Sequence, residues 1–365
     1  MTCEELLLLK AKMLCYGVRA NRETKKFMES VNRYVLEKSF IHAAHFMIED
    51  LVVNTCIEET FCLKSPFSIE LRDGALELFE NGVHISKIRV LELPDWCEDM
   101  VDIYPIGKYL RPHSPHCVSC WPYLQCHYYR VGKQCQFCSM GSYPAKTMLP
   151  SPILPISVIK EMFIRVLRAN PRYEIALSGG TCGGLDHSLQ YFSEICEQVR
   201  NCGANYISVE TAPPFDLDYI DCLQKSGATA IIMNLEIAEE ALRRIICPGK
   251  SSISQTHYFR AYERAVRAFG FGNVSCVLLS GLQDAESIIR KSEELIRIGV
   301  IPTIVPFKPL DECFLRDHPM ANPNELVMIT KEIDRLLHQQ GLSASFQCGC
   351  TRCNGCSLET IAEQV

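Results

Sequence analysis

The spacing of hydrophobic and polar positions changes twice along this chain of 365 residues. Residues 1–65 show helical spacing in EELLLLKAKMLCYG and ETKKFMESVNRYVLEKS, which predicts a helical N-terminal extension. Residues 66–110 then alternate in FSIELRDGALELFENGVHI, where the DG and NG dipeptides are typical of tight turns. We therefore expect a β-hairpin or meander after the helical extension.

Helix and strand patterns alternate from residue 151 onward, after a segment without period, GKYLRPHSPHCVSCWPYLQC, which we expect to be a loop. Helical stretches such as SVIKEMFIRVLRAN are separated by apolar runs such as YEIALSGG and NVSCVLLSGL. Such alternation is typical of a parallel sheet covered by helices. About six units predict a partial (β/α)6 TIM-like barrel over residues 111–340, with its active site beyond the carboxyl ends of the strands. A doubly wound sheet stays open as the alternative.

Composition indicates a folded protein whose partners are small molecules or other proteins. Hydrophobic residues make up 47% of the chain and charged residues 22%, a normal globular balance. The net charge of -6 gives no basic surface for nucleic acid. We find neither a secretory signal nor an apolar run long enough for a membrane span, and expect a cytoplasmic protein. In that reducing compartment, 21 cysteines favour metal or redox chemistry over disulfides.

Three cysteines lie close together in CHYYRVGKQCQFCSM: Cys126, Cys135 and Cys138, separated by eight and then two residues. An iron–sulfur cluster is held by thiolates, and a four-iron cluster with only three cysteines keeps one iron without a protein ligand. That iron is open to a substrate or cofactor. The spacing therefore predicts a cluster with an open coordination position at the catalytic end of the barrel.

Two other interpretations of the thiols stay open. Cys135 and Cys138 are also typical of half a structural zinc site in a non-enzymatic binding module. The remaining zinc ligands would come from Cys117, Cys120 and His127. Cysteines also pack as small hydrophobic side chains. This is our expectation for three that lie within helix or strand patterns: Cys196, Cys222 and Cys276.

Glycine and polar residues follow the next strands of the predicted barrel. Gly179 and Gly180 end the strand ALSGG, where a backbone without side chains can approach a ligand closely. Glu210 ends ISVE, and Asn234 and Glu236 end IIMNLE. Polar residues at strand ends belong to the active site of a barrel, although helix caps or solvated loop residues are the alternative for each.

Together these motifs resemble the radical S-adenosylmethionine superfamily, and within it the biotin-synthase-like branch. The resemblance covers about residues 110–357 and rests on the cysteine triplet with Phe137 before its last member, SGGT, and NLEI followed by RRIICPGK. AVRAFGFGNVSCVLLSGL and PTIVPFKPL add to it. The common spacing in the superfamily is three residues and then two, whereas this chain has eight and then two. Cys120 in place of Cys126 as the first ligand therefore stays open.

The resemblance implies a [4Fe–4S] cluster whose open iron binds the amino and carboxylate groups of S-adenosylmethionine. One electron then cleaves that cofactor to methionine and a 5′-deoxyadenosyl radical, which abstracts hydrogen from a substrate. The resemblance also implies backbone contacts to the methionine amino group from Gly179, Gly180 and Thr181. The side chains implied in other cofactor contacts are Glu210, Glu236, Arg244 and Lys250, with surface charge as the alternative for the last two.

The C-terminal residues 341–365 contain a second group of cysteines in CGCTRCNGCS: Cys348, Cys350, Cys353 and Cys356. Their short gaps resemble a ferredoxin-type cluster loop and predict an auxiliary iron–sulfur cluster. We expect the last helix to end at Gly341 and SASFQ to return as a strand, which would bring these cysteines to the catalytic face. The fourth ligand stays open between Cys348, Cys117 and a non-protein group.

Two clusters in such a chain resemble the divergent two-protein lipoyl synthase. That resemblance implies sulfur insertion into an octanoyl chain on a carrier protein, with the auxiliary cluster as sulfur donor and a second radical enzyme as partner. A ferredoxin or flavodoxin would supply the electron. The alternative is a radical enzyme of other chemistry that uses the tail cluster for electron transfer or substrate anchoring.

Overall fold

Helices and small sheets form the N-terminal third of the chain. The computed structural model describes residues 1–37, 43–142, 149–343 and 350–362. Sheet order in this region is β1-β4-β5-β6, β3-β2-β7 and β8-β9. The elements are α1 (Cys3–Tyr16), β1 (Arg19–Ala20), α2 (Arg22–Val31), β2 (Ala44–Ile48), β3 (Leu51–Thr55), β4 (Phe67–Arg72), β5 (Ala75–Glu80), β6 (Val83–Lys87), β7 (Arg89–Val90), β8 (Met100–Val101), β9 (Tyr104–Pro105) and α3 (Ile106–Tyr109).

Strands β4, β5 and β6 form an antiparallel meander where the sequence alternates. Two-residue turns join them at Asp73-Gly74 and Asn81-Gly82, and all four turn residues have positive φ. Such turns match the right-handed twist of the flanking strands. The DG and NG dipeptides therefore position both turns of this sheet.

Residues 1–65 are not helical throughout, because β2 and β3 form an antiparallel hairpin within them. The two strands are joined at Glu49-Asp50, where Glu49 has a φ of 53°. Both strands are buried on nearly every position, so they show no alternation of polar and apolar residues. The prediction of a purely helical extension is wrong for this hairpin.

Six parallel strands in sequential order form the main sheet, with one antiparallel strand at its edge. A doubly wound sheet would instead place its first strand in the interior of the order. The chain thus has the strand order of a partial TIM-like barrel. The strands are β10 (Leu110–Pro112), β11 (Cys117–Tyr123), β12 (Glu174–Gly179), β13 (Ile207–Thr211), β14 (Ala230–Met233), β15 (Val274–Ser280) and β16 (Ile301–Pro306).

The first barrel strand, β11, lies in the segment predicted to be a loop, and that prediction is wrong. Cys117–Tyr123 pairs with β10 on one side and β12 on the other. Six of its seven residues are buried, so burial on both faces removes the period that sequence reading depends on. Cysteine, serine and proline in its sequence also resemble loop composition.

Helices cover the barrel through apolar stripes spaced three or four residues apart. In the first covering helix the stripe includes Val158, Met162 and Val166. No helix in the described ranges is long and apolar enough to cross a membrane. The helices are α4 (His127–Arg130), α5 (Ile156–Ala169), α6 (Leu189–Asn201), α7 (Asp218–Lys225), α8 (Glu240–Ile246), α9 (Gln255–Phe269), α10 (Ala285–Arg297), α11 (Pro323–Gln339), α12 (Cys350–Cys353) and α13 (Glu359–Ala362).

The C-terminal tail lies beside β16, the last strand of the sheet, and α1 packs against α11 and β3. Helix α13 packs against α11 and α1. The Glu359 carboxylate accepts a 2.7 Å hydrogen bond from the amide of Ile304, which faces outward from the edge of the sheet. Residues 344–349, which include most of the predicted SASFQ strand, lie outside the described residues.

Candidate functional site

The loop with the cysteine triplet follows β11 at the carboxyl end of the sheet. Cys126 precedes α4, and its carbonyl accepts a 3.1 Å hydrogen bond from the Tyr129 amide. The Cys135 carbonyl accepts from the Cys138 amide at 3.1 Å, which makes a tight turn of the CxxC pair. The Tyr129 hydroxyl donates to the Cys138 carbonyl. These bonds tie the Cys126 end of the loop to its CxxC end.

The three thiols of this loop influence one another electrostatically. Burial, with smaller contributions from Cys135 and Cys126, raises the pKa of Cys138 to about 12. A hydrogen bond with the Cys247 thiol and then burial hold the pKa of Cys135 well above its usual range. A thiol in such surroundings gives up its proton when a metal cation binds it. The loop therefore brings together three potential ligands that ionise on metal binding.

Cys120 and Cys117 do not join this group. Cys120 is fully buried on β11, its thiol lies beside Tyr191 of α6, and burial raises its pKa. Cys117 lies at the opposite end of the same strand. The structure thus keeps the two CxxC pairs apart, and it places Cys126 rather than Cys120 in the loop with Cys135 and Cys138.

Single-ion sites and clusters place different demands on these residues. Across the described ranges, no three His, Cys, Asp or Glu side chains lie close enough to hold one metal ion. Ligands of one zinc ion lie only about 4 Å apart, because all of them bind within about 2.3 Å of the same centre. In a four-iron cluster each thiolate binds a different iron, so its ligands are spread more widely.

Gly179 and Gly180 pack directly against the loop. A Cβ atom at Gly180 would overlap the Gln125 carbonyl oxygen and lie 2.7 Å from Cys126 Cβ. One at Gly179 would lie 2.5 Å from the Tyr123 carbonyl oxygen. Close approach to protein atoms therefore accounts for both glycines, where the sequence suggested approach to a ligand. The turn also fixes the backbone position of Cys126.

Thr181 continues this contact between the glycine turn and the loop. Its carbonyl accepts a 2.8 Å hydrogen bond from the His127 amide, directly after Cys126. On the other side of the turn, the Gly180 amide donates to the Tyr123 carbonyl at 2.9 Å. The predicted backbone contacts of these three residues to a cofactor stay predictions, and the structure places the residues beside the first thiol.

Ser178, Glu210 and Asn234 form a hydrogen-bonded row across the ends of three neighbouring strands. The Glu210 carboxylate accepts from the Ser178 hydroxyl at 2.7 Å and from the Asn234 amide group at 2.6 Å. Asn234 in turn accepts from the Val277 amide at 3.1 Å. Burial raises the pKa of Glu210, while its two donors act to lower it. Glu210 is thus part of a row that faces the same end of the barrel as the thiols.

Glu236 and Lys250 form a largely buried ion pair of 2.6 Å. Glu236 follows β14 with a φ of 68°, and backbone bonds to Val277 and Leu279 hold it beside β15. Burial acts to lower the pKa of Lys250, but Glu236 and Cys135 together raise it well above its usual range. Lys250 therefore stays protonated, and it lies between the loop thiols and Glu236 at the end of β14.

Arg244 does not lie with these groups. Its side chain is 70% exposed on α8, beside Glu240. The neighbouring Arg243 is fully buried instead and donates to the carbonyls of Leu235, Ile253 and Lys250 at 3.3, 3.0 and 2.9 Å. Sequence reading missed Arg243, although it lies three residues before the apolar Ile246, which predicts that both share the inward face of a helix.

Cys247 is a second residue that sequence reading missed. Its thiol contacts that of Cys135, and the Gln136 amide donates to the preceding Ile246 carbonyl at 2.8 Å. A Cβ atom at Gly249 would overlap the Tyr128 ring. The segment CPG, residues 247–249, is therefore the surface on which the cysteine loop packs. No local pattern in the sequence indicates this role.

Cys353 and Cys356 lie at the opposite end of the barrel, so the prediction that the tail cysteines reach the catalytic face is wrong for these two. Cys353 hydrogen bonds to Cys117, and Arg352 pairs with Glu174 through a 2.9 Å hydrogen bond. Cys117 and Glu174 are the first residues of β11 and β12. The length of β11, about 20 Å, separates this end from the loop. Cys348 lies outside the described residues, and Cys350 begins α12.

Comparison with known proteins finds a domain similar to the radical SAM superfamily in part of the chain. The model of the radical SAM superfamily matches residues 126–292, beginning at the first thiol of the loop. The bacteriochlorophyllide c C-7(1)-hydroxylase of Chlorobaculum limnaeum is 22% identical, over 78% of this chain and 76% of that protein. The comparisons name the superfamily and not the biotin-synthase-like branch.

Solved structures with a similar fold come from enzymes of differing names. Methylornithine synthase matches 68% of this chain and 69% of its own, with a TM-score of 0.49 and 19% identity. The FeFe-hydrogenase maturase of Carboxydothermus hydrogenoformans matches 61% of this chain, with a TM-score of 0.45 and 20% identity. This chain spans about half of the maturase, 51%. A radical SAM methyltransferase from Sphaerobacter thermophilus matches 78% of this chain and 76% of its own, with a TM-score of 0.43 and 16% identity.

Proposed function

We propose that the chain is a radical SAM enzyme that abstracts a hydrogen atom from a substrate held at the carboxyl end of its barrel. One observation carries the proposal. Loop thiols, a buried ion pair and a carboxylate row meet where the parallel strands end. When bound, an iron–sulfur cluster and S-adenosylmethionine supply the one-electron cleavage that generates a 5′-deoxyadenosyl radical.

The loop fits such a cluster by its donor set. Cys126, Cys135 and Cys138 would hold three irons, because their thiols share one loop and influence one another. The packing of Gly180 against Cys126 fixes the first of them before any metal binds. Preorganised ligands reduce the conformational entropy lost on binding.

Charged groups beside the loop would orient the cofactor. Lys250 is held close to Cys135 and keeps its charge, so it is suited to a carboxylate. Glu210 and Glu236 are suited to amino and hydroxyl groups, because carboxylates accept hydrogen bonds from both. Arg243 contacts no cofactor in this proposal; it holds the Lys250 backbone in place.

An apolar cluster around Cys135 would exclude water from the radical. Ile237, Val277, Leu279 and Phe307 are buried in this cluster, and Phe137 packs against it. A dry site protects a reactive intermediate from side reactions. The proposal therefore covers radical generation and hydrogen abstraction. The relatives bear different reaction names, and the step after abstraction lies outside it.

Sulfur insertion gains no support from this geometry. A sulfur donor must reach the substrate carbon, whereas Cys353 lies beside Cys117 at the other end of a strand about 20 Å long. The curated relative reported above is named as a hydroxylase. We therefore propose electron transfer or structural anchoring for the tail thiols, with a cytoplasmic ferredoxin or flavodoxin as electron source. An octanoyl carrier and a second radical enzyme are not part of the proposal.

Anaerobic reconstitution with iron and sulfide tests the proposed function. With reductant and S-adenosylmethionine, the wild type should form methionine and 5′-deoxyadenosine, and a C126A/C135A/C138A variant should form neither above background. Cys120→Ala is the matched control, because Cys120 is a cysteine of the adjoining strand that faces α6, and it should retain the activity. A fully iron-loaded wild type that leaves the cofactor intact, or a colourless protein loaded with zinc, would contradict the proposal.

A further inference from the structure

Three cysteines from distant parts of the sequence meet at the amino end of the barrel strands. Cys117 begins β11, and its thiol hydrogen bonds to Cys353, 236 positions later in the chain by residue number. Cys356 lies close enough to Cys353 for their charges to interact. Cys350 begins the same short helix that Cys353 ends. A barrel strand and one turn of the tail thus contribute cysteines to one place.

The tail is held there by specific contacts to β3. The Asn54 amide donates to the Gly355 carbonyl at 2.8 Å, and its side chain donates to the Cys356 thiol at 3.6 Å. A Cβ atom at Gly355 would overlap the Asn54 side chain, so only glycine allows this approach. The position of Cys356 is therefore fixed from outside the tail.

A buried cation lies beside these thiols. Lys10 of α1 is fully buried, and its ammonium donates to the backbone and side-chain oxygens of Asn354. Within the described ranges, no carboxylate lies at ion-pair distance from Lys10. The negative charges that act on it would be those of Cys353, Cys356 and Glu359. A buried ammonium with neutral acceptors alone is costly, so this site is built to receive negative charge.

We propose that Cys117, Cys353 and Cys356 bind a second iron–sulfur cluster, with Cys117 as the ligand that the barrel itself contributes. The CxxCxxC spacing of the sequence adds Cys350 as the fourth ligand. A cluster with four thiolates supplies the negative charge that Lys10 lacks. Three ligands from one CxxCxxC turn and a fourth from a distant segment is an arrangement that ferredoxin-type clusters use. This cluster deepens the tail site of the proposed function, but its detection needs no turnover.

The place of the cluster sets its role. It lies about one strand length, some 20 Å, from the cysteine loop. Direct attack of its sulfide on a substrate carbon at the loop is excluded by that distance. This position suits an electron carrier at the amino end of the barrel.

The test uses a background in which only the tail cluster is present. In a C126A/C135A/C138A protein, anaerobically reconstituted, iron and sulfide analysis with Mössbauer spectra should show about four irons per chain. Adding Cys117→Ala should remove the cluster or convert it to a three-iron form. Adding Cys120→Ala in its place should leave the iron content and spectra unchanged, because Cys120 lies on the same strand and faces α6.

Two results would overturn the inference. A background protein without iron shows that the tail holds no cluster, and unchanged spectra in the Cys117→Ala protein show that Cys117 is not a ligand. Because the loop thiols are absent, neither result bears on the proposed radical chemistry. If circular dichroism shows that Cys117→Ala is unfolded, Lys10→Met takes its place. Removal of the adjacent positive charge should make the cluster potential more negative, and an unmoved potential would place the cluster elsewhere.

Discussion

The two ends of the barrel combine thiols with a buried lysine in opposite ways. At the carboxyl end, Cys126, Cys135 and Cys138 come from one loop, and Lys250 has a carboxylate partner in Glu236. At the amino end, the thiols come from β11 and the tail, and Lys10 reaches only neutral oxygens of Asn354. The first site holds its lysine in a direct ion pair, whereas the lysine of the second has only the more distant Glu359 carboxylate and the tail thiols as negative neighbours.

Because of this difference, we expect the geometry of the two ends to depend on a bound cluster to different extents. The loop, its glycine turn and the ion pair hold one another without metal, so the carboxyl end has its geometry before the cluster forms. At the amino end, the Lys10 ammonium has no direct ion pair, and the charge of the proposed cluster would stabilise it. We therefore expect metal removal to weaken the tail attachment more than the catalytic loop.

The largest effect on stability should come from Arg243. Arg243→Ala removes three hydrogen bonds from a buried guanidinium to backbone carbonyls, and we expect a loss of about 3–5 kcal/mol. The adjacent Arg244 is the control, because Arg244→Ala removes an exposed charge and should change stability by less than about 0.5 kcal/mol. Urea unfolding measures both. Equal effects would mean that the carboxyl end is not held by Arg243.

The two buried lysines should respond with opposite signs in the metal-free protein. Lys250→Met leaves Glu236 buried and unpaired, and should destabilise the fold by about 2–3 kcal/mol. Lys10→Met removes a buried cation without a carboxylate partner, and should leave stability unchanged or raise it by about 1 kcal/mol. Thermal unfolding of the two apo variants gives the comparison. Destabilisation of similar size in both would remove the contrast between the ends.

The smallest effect concerns pH. Burial raises the pKa of Glu210 above the ordinary 4.5, so the folded chain binds this proton more tightly than the unfolded chain. Folding stability should therefore fall as the pH rises from about 4.5 through the folded-state pKa, and level off above it. Glu210→Gln removes this contribution. The difference in unfolding free energy between wild type and variant should change over that window, and a constant difference would show that Glu210 does not titrate there.

The sequence predicts the parts of the fold that have a clear period. Continuous apolar strands between amphipathic helices indicate the barrel, and the DG and NG dipeptides indicate the meander turns. The sequence did not predict Cys117–Tyr123 or the β2–β3 hairpin as strands. These strands are buried on both faces, so polar and apolar residues do not alternate in them. Pattern reading thus succeeds where one side of an element faces solvent.

Site residues divide in a similar way. Strand ends can be located from sequence, and the structure places the predicted Glu210 and Glu236 at the carboxyl end of the sheet. Their role at a cofactor stays a prediction. The choice between Arg243 and Arg244 depends on the phase of a short helix, and the contact of Cys117 with Cys353 depends on the path of the tail. Both are tertiary properties, and a contact across 236 positions of residue number leaves no local signal.

Through the Glu359 contact, the tail shields the unpaired edge of β16. β16 is the last strand of the sheet, and Glu359 occupies the Ile304 amide that a further strand would otherwise bind. An uncovered edge of apolar sequence is a template for pairing with another chain. If loss of the proposed cluster released the tail, the edge of β16 would be uncovered, and we expect oxidative damage to the tail thiols to promote self-association of the chain.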